Sequence, residues 1–491
     1  MRTLWHNGTF YSMKRASHFY RSIVTENGLI VAVDENKSPA HYDRVIDCEG
    51  AWVFPGFVDA HLHILGFGER LTLPNVQHLS QKNEILKFMK TKFMGQPLLV
   101  QGYHEVGITA HDLDNISSSI PIVLRHHDYH GATVNSAKLK ELKFTSSDGI
   151  LKEEEANRAV YSFPKYPVST LTQMIQNAFS TLHAYGVTGG HSDDLYYFNG
   201  FFDTLRAFER ALETKPFRTH LLMHHLTLDD YLKSKRPWLD QNPFLQLGAV
   251  KMFYDGTLTS KTALMTNPYF DGSFGQRIDP KTTWENRLKA IRKLGLPVAI
   301  HVIGDQGLDE VADSLTKYPV KQGLHDRIIH ASFAKEETLA KLKKLSVIFD
   351  IQPQFLTSDF PEGFALFLKP PALIYAWKTY SDHGLVLCGS SDAPVEIPNP
   401  LLGIYQAVYR QKSYLDKVLG KEEKISMFDA ISLYTTRANI PTYHVNRGMI
   451  DIGFIADFTM LNQDPFQVSQ EQWTQLHVTQ TIINEQQVYK K

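Results

Sequence analysis

Val53-Phe54-Pro55-Gly56-Phe57-Val58-Asp59-Ala60-His61-Leu62-His63 reads as an apolar β-strand that ends in His-x-His. Side chains alternate across a strand, so His61 and His63 project to the same side. Two imidazoles fixed side by side on a rigid element can hold one metal ion. The pair is a weak signal by itself, because two histidines two apart arise by chance and a structural role explains them equally well. The matter turns on whether other strand ends supply the rest of a ligand set.

Outward from this stretch, the middle of the chain alternates strand-like and helix-like segments. Strand-like runs follow at Gly186–Gly190, Thr219–Met223, Leu247–Tyr254, Leu296–His301, Arg327–His330, Val347–Ile351 and Leu385–Gly389. Between them, Ser169 to Tyr185 carries Leu171, Met174, Ile175, Ala178, Phe179 and Leu182 at helical spacing, and Thr283 to Leu294 and Lys335 to Leu345 behave likewise. Eight buried strands with intervening helices predict an α/β fold, a (β/α)8 TIM barrel over residues 55–73 and 166–440. Residues 74–165 interrupt the alternation and read as an insertion subdomain after strand 1, placed to serve as a lid or a substrate wall. Residues 1–54 hold short strands at Thr9–Ser12, Ser22–Thr25, Leu29–Val33 and Arg44–Asp47, with turn signals at Asn7-Gly8 and Asn27-Gly28. Residues 441–491 add Ala456–Leu461, Val478–Ile483 and Val488-Tyr489. Neither end has enough apolar surface to stand alone, so the two are expected to pair into one small β-sandwich.

The bulk properties exclude several function classes. Lys+Arg 51 against Asp+Glu 52 leaves a net charge of -1 over 491 residues, with no electrostatic reason to expect nucleic acid or an anionic membrane as partner. Two cysteines, Cys48 and Cys388, make no disulfide framework. The opening Met1-Arg2-Thr3-Leu4-Trp5-His6-Asn7-Gly8 lacks the apolar core of a secretion signal, and no run is long enough to cross a bilayer. The expectation is a cytoplasmic enzyme with a small-molecule substrate and a possible homodimer.

Active sites of such barrels lie at the C-terminal ends of the strands, and the other strand ends do carry candidates. Lys251 falls near the end of the fourth strand, His301 ends the fifth and His330 the sixth. Asp392, in Gly389-Ser390-Ser391-Asp392-Ala393-Pro394, follows the eighth. Each has a bland reading: a strand-end histidine is often a hydrogen-bonded structural residue, Lys251 can be a solvated charge, and Asp392 can cap a turn. Their joint placement at one end of five strands is much harder to obtain by accident.

With these residues in place the chain resembles the metal-dependent amidohydrolase superfamily, in the branch of YtcJ-like hydrolases and N-substituted formamide deformylases. The matching stretches are Pro55–His63, Val250-Lys251-Met252-Phe253-Tyr254-Asp255-Gly256-Thr257, His301-Val302-Ile303-Gly304-Asp305, Ile329-His330-Ala331, Ser391-Asp392-Ala393-Pro394-Val395 and the closing Gly448–Asp457. The resemblance implies an enzyme that hydrolyses a C–N amide-type bond other than a peptide bond. It implies divalent metal, zinc by family habit, although the N and O ligands alone also suit manganese, iron or cobalt. His61 and His63 would hold the inner ion with Asp392, and His301 and His330 a second. Lys251 would bridge them as a carboxylated lysine; if it is unmodified, one ion is expected. Asp392 would be general base and then acid.

Lesser candidates for the substrate pocket are His130, Asp255 and Gln352. The paired His126, His127, His224 and His225 read as structural or surface residues. A nucleobase-type deaminase is disfavoured, because such enzymes carry His-x-x-Glu at the fifth strand and here that position is Gly304. A deacylase with a bridging cysteine is disfavoured because neither Cys48 nor Cys388 falls at a suitable strand end. The remaining alternative is a non-catalytic protein on the same barrel, which six intact candidate ligands argue against.

Overall fold

The alternating middle of the chain folds into eight strands: β1 (Phe57–Leu62), β2 (Val187–Ser192), β3 (Arg218–His224), β4 (Leu245–Phe253), β5 (Val298–Val302), β6 (Asp326–His330), β7 (Val347–Ile351) and β8 (Val386–Gly389). Each is parallel to the next in one eight-stranded sheet. The computed structural model describes residues 1–35, 37–127, 131–163, 165–240 and 242–491. Every residue of β2, β3, β6 and β7 is buried. Strands covered on both faces favour apolar or small residues, which is why much of each reads as an apolar run, although Arg218, Arg327 and Asp350 are buried among them. Beyond the strands, the seam between β8 and β1 is closed by backbone bonds: His63 N–H donates to the Ala393 carbonyl at 2.7 Å, and Asp392 N–H to the His61 carbonyl at 2.8 Å. The seam thus ties together the segments that carry His61, His63 and Asp392.

One expectation is corrected. Val53–His63 is two strands, Trp52–Pro55 and β1, with Gly56 between them. Trp52–Pro55 pairs with Thr9–Tyr11 and Phe458–Leu461, whereas β1 pairs with β2. A Cβ at Gly56 would lie 2.3 Å from Thr188 Oγ1, so a glycine is required where the chain passes from one sheet to the other.

The two chain ends do pair. Thr9–Tyr11, Phe19–Tyr20 and Trp52–Pro55 share a six-stranded sheet with Phe458–Leu461, Val478–Ile483 and Gln486–Lys490. A four-stranded sheet of Leu29–Val33, Ile23–Glu26, Arg2–His6 and Arg44–Asp47 completes the sandwich. Trp5, Phe10, Ile23, Val53, Phe458 and Ile482 pack as its core. Arg2–His6 is a strand that the sequence reading did not include. Arg218, at the start of β3, grips Asp457 with Nε and Nη2 at 2.7 and 2.9 Å, in a buried pair between barrel and sandwich.

Gly66–Asn177 form a second compact unit. Its four strands, Ile150–Lys152, Gly131–Val134, Ile122–His126 and Leu98–Tyr103, make one sheet. Alternate residues feed two cores, one around Val100, Ile122 and Leu124 and one around Leu99, Val123 and Leu151. Among the described residues no helix is long and apolar enough to cross a membrane.

Candidate metal centre

The six candidate ligands lie on the strand ends where the sequence put them, and the structure brings them together. Asp392 Oδ1 stands 3.4 Å from His61 Nε2 and 3.5 Å from His63 Nε2. One ligand atom from each of these three residues falls within 4.8 Å of the other two, a spacing that can hold one metal ion. Lys251 Nζ is 3.2 Å from His61 Nε2. The His301 and His330 rings meet edge-on with centroids 4.5 Å apart, and His330 lies 6.1 Å from His61. His330 and Asp392 both hold positive φ, 78° and 56°, a strained backbone state that clusters at functional sites.

Hydrogen bonds on the far side of each ring set its tautomer. His63 Nδ1 lies 2.9 Å from the Asp193 carbonyl. A carbonyl only accepts, so Nδ1 carries a proton, and Nε2, which faces Asp392, is the nitrogen that a metal would take. His330 Nδ1 faces Gln352 Oε1 at 2.8 Å, which leaves its Nε2 free to bind metal. His301 turns Nε2 to the Gly256 carbonyl at 3.3 Å and keeps Nδ1 for a ligand. This arrangement, one nitrogen to metal and the other to an acceptor, is what metal-binding imidazoles use. His61 is the exception: its Nδ1 is buried with no partner among the described residues.

Burial dominates the electrostatics. It holds His61 and His301 well below the ordinary histidine value, helped by Lys251 and the neighbouring rings, and puts His330 at about 4. These three rings are neutral and ready to bind metal at pH 7. His63 goes the other way: burial opposes protonation, but the hydrogen bond and charge of Asp392, with Asp193 and Asp194, raise it to about 9. Asp392 is held below the usual carboxylate range: burial pushes it up, but His63, His330 and Lys251 outweigh that push.

The model of the amidohydrolase family matches residues 44–489. The chain belongs to the amidohydrolase family. It is 31% identical over its whole length to YtcJ of Bacillus subtilis (strain 168), which is also covered end to end. It is 22% identical to the N-substituted formamide deformylase of Arthrobacter pascens, over 90% of this chain and 89% of that one. Among solved structures, an uncharacterised metal-dependent hydrolase of Pyrococcus horikoshii OT3 superposes with a TM-score of 0.84 at 26% identity, covering 96% of this chain and 99% of the other.

Other residues of this amidohydrolase brace the six. Asp193, one residue past β2, is fully buried and sets Oδ2 3.4 Å from Lys251 Nζ. Asp59 accepts from the His61 and Ser391 amides at 3.1 Å and from the Ser391 hydroxyl at 2.6 Å, so one carboxyl group holds both ligand-bearing segments. The sequence reading missed both. The signal for Asp193 was the polar run His191-Ser192-Asp193-Asp194 at the C-terminal end of β2.

The lesser candidates divide. The Asp255 carboxylate is buried and accepts from the amides of Leu264, Ile303 and Gly304 at 2.8–3.0 Å, so it shapes the loop after His301. Gln352 holds His330. His130 lies outside the described residues. Cys388 lies in β8, but its Sγ is turned to the Arg437 carbonyl at 3.1 Å.

Proposed function

We propose that this amidohydrolase hydrolyses a C–N amide-type bond of a small molecule with the help of a divalent metal, zinc by family habit. The observation that carries the reading is the convergence of His61, His63 and Asp392, backed by tautomers that leave a ring nitrogen of His63, His301 and His330 free.

His61, His63 and Asp392 would hold the first ion. His301 and His330 would hold a second, with Lys251 joining the two as a carboxylated lysine; with an unmodified Lys251 the centre would hold one ion. Bound metal supplies a Lewis acid for the carbonyl and acidifies water. Asp392, kept ionised by its cationic neighbours, accepts the proton of the attacking water and returns it to the leaving nitrogen. A C–O bond forms, the C–N bond breaks, and carboxylate and amine leave. The similarity to a deformylase of N-substituted formamides favours N-acyl or N-formyl amines. A deaminase-type acid three residues past His301 is opposed by packing, because a Cβ at Gly304 would lie 2.0 Å from the Leu264 carbonyl oxygen.

The test is a screen of zinc-loaded protein against N-formyl amines, N-acyl amino acids, cyclic amides and simple esters, with Asp392→Asn as the blank. Amine release from at least one amide class is expected. Activity confined to esters, or equal activity in the blank, would overturn the reading.

A further inference from the structure

His224 is the last residue of β3, at the barrel end that carries the metal centre. Its Nδ1 accepts the Leu226 backbone N–H at 3.2 Å. An amide N–H can only donate, so the lone pair is on Nδ1 and the ring proton is on Nε2. The ring is clamped: Tyr196 stacks on it at 4.4 Å and 15°, and His225 at 4.6 Å and 24°. His225 is itself tied through Nδ1 to the Lys251 carbonyl at 3.3 Å. His224 is buried, 4% exposed, and its Nε2 makes no hydrogen bond to a described residue. A buried N–H with no partner in the fold is costly, and an acceptor on a bound molecule would remove that cost.

Two aromatic side chains connect this ring to the metal centre. Tyr197 lies 5.5 Å from His224 and 5.7 Å from His63. Phe253 lies 5.6 Å from His224 and 5.5 Å from His301, and Lys251 Nζ sits 4.8 Å over the same Phe253 ring. His224 is therefore one aromatic side chain away from each half of the centre. A molecule whose reacting carbon is at the metal extends over distances of this order.

We propose that His224 is a substrate-binding residue whose Nε2–H donates to an acceptor oxygen of the amide-type substrate, with Tyr196 and Phe253 as the apolar bed beside it. The assignment rests on the hydrolytic reading above and narrows it: the favoured substrates carry a carbonyl or carboxylate oxygen together with an apolar part. A rigid neutral donor of this kind discriminates strongly, because a substrate lacking the oxygen leaves the N–H without a partner.

The experiment compares the parent with His224→Phe, which keeps the stacking ring and removes the donor, and His224→Gln, which restores an N–H donor. Steady-state kinetics on N-formyl amines and N-acyl amino acids are read beside zinc content and melting temperature. The Phe variant is expected to bind zinc like the parent and to lose about tenfold in kcat/KM, with the Gln variant recovering most of it. An active parent matched by an equally active Phe variant would overturn this assignment alone. So would a loss that tracks zinc content or melting temperature. A parent inactive on every amide would sink the hydrolytic reading, and this one with it.

Discussion

His330 Nδ1–H donates to Gln352 Oε1 at 2.8 Å, and Gln352 has no freedom to turn away. Its Nε2 donates to the Asp350 carbonyl at 3.0 Å and to Ser390 Oγ at 2.8 Å, while Ser390 gives its own proton to the Ile351 carbonyl at 2.9 Å. The chain of donors fixes which end of the amide faces the imidazole, and hence which nitrogen of His330 is free. Gln352→Leu should lower zinc affinity by roughly 10–100-fold, the usual cost of losing such a support. Gln352→Glu, which keeps an acceptor, should lose much less. Competition with a chromophoric chelator reads both, and parental affinity in the Leu variant would refute the role.

Substitutions of the centre itself separate chemistry from folding. His61→Ala, Lys251→Ala and Asp392→Asn should each cut turnover by about a thousandfold or more, as loss of a member of a catalytic unit does. Far-UV circular dichroism should stay parental in all three. In the metal-free protein, where Lys251 is an unmodified cation, Lys251→Ala should melt lower, because it leaves the buried Asp193 carboxylate without its cation at 3.4 Å. Full activity in any variant would remove that residue from the centre.

Much of this architecture was legible because parallel strands buried on both faces write themselves as continuous apolar runs, and because the ligands sit at the ends of those runs. What escaped depends on long-range packing. The break at Gly56 is set by Thr188, more than a hundred residues away, so a local reading saw one strand through Val53–His63. Asp59 looked like one polar residue in an apolar strand until Ser391 was placed against it.

The closing Ala456-Asp457 of the sequence has a physical task in the Arg218 pair. Both side chains are almost fully buried and joined by two parallel bonds. Asp457→Ala would leave the guanidinium without its carboxylate, a loss on the order of 3–5 kcal/mol. Urea denaturation of the metal-free protein measures it. A change below about 0.5 kcal/mol, the range of an ordinary surface substitution, would show the pair to be dispensable.

The opposed shifts of His63 and His330 predict how the metal-free protein responds to pH. His63 rises from 6.5 to about 9 in the fold. Between those values the native state holds a proton that the unfolded state has released, so its contribution is complete below about pH 6.5 and is lost as pH climbs to 9. His330 falls to about 4, with burial the main cause. Between pH 6.5 and 4 the unfolded state binds the extra proton, so stability drops as the solution is acidified. Both effects place the stability maximum of the metal-free protein near neutrality. Zinc adds a second consequence, since a ligand imidazole must be neutral. Loading at pH 7 should expel about one proton from His63, and apparent affinity should rise close to tenfold per pH unit until about pH 9, then level off. Calorimetric titration in two buffers of different ionisation enthalpy counts that proton. A count of zero at pH 7 would mean that Asp392 does not hold His63 charged in the empty centre.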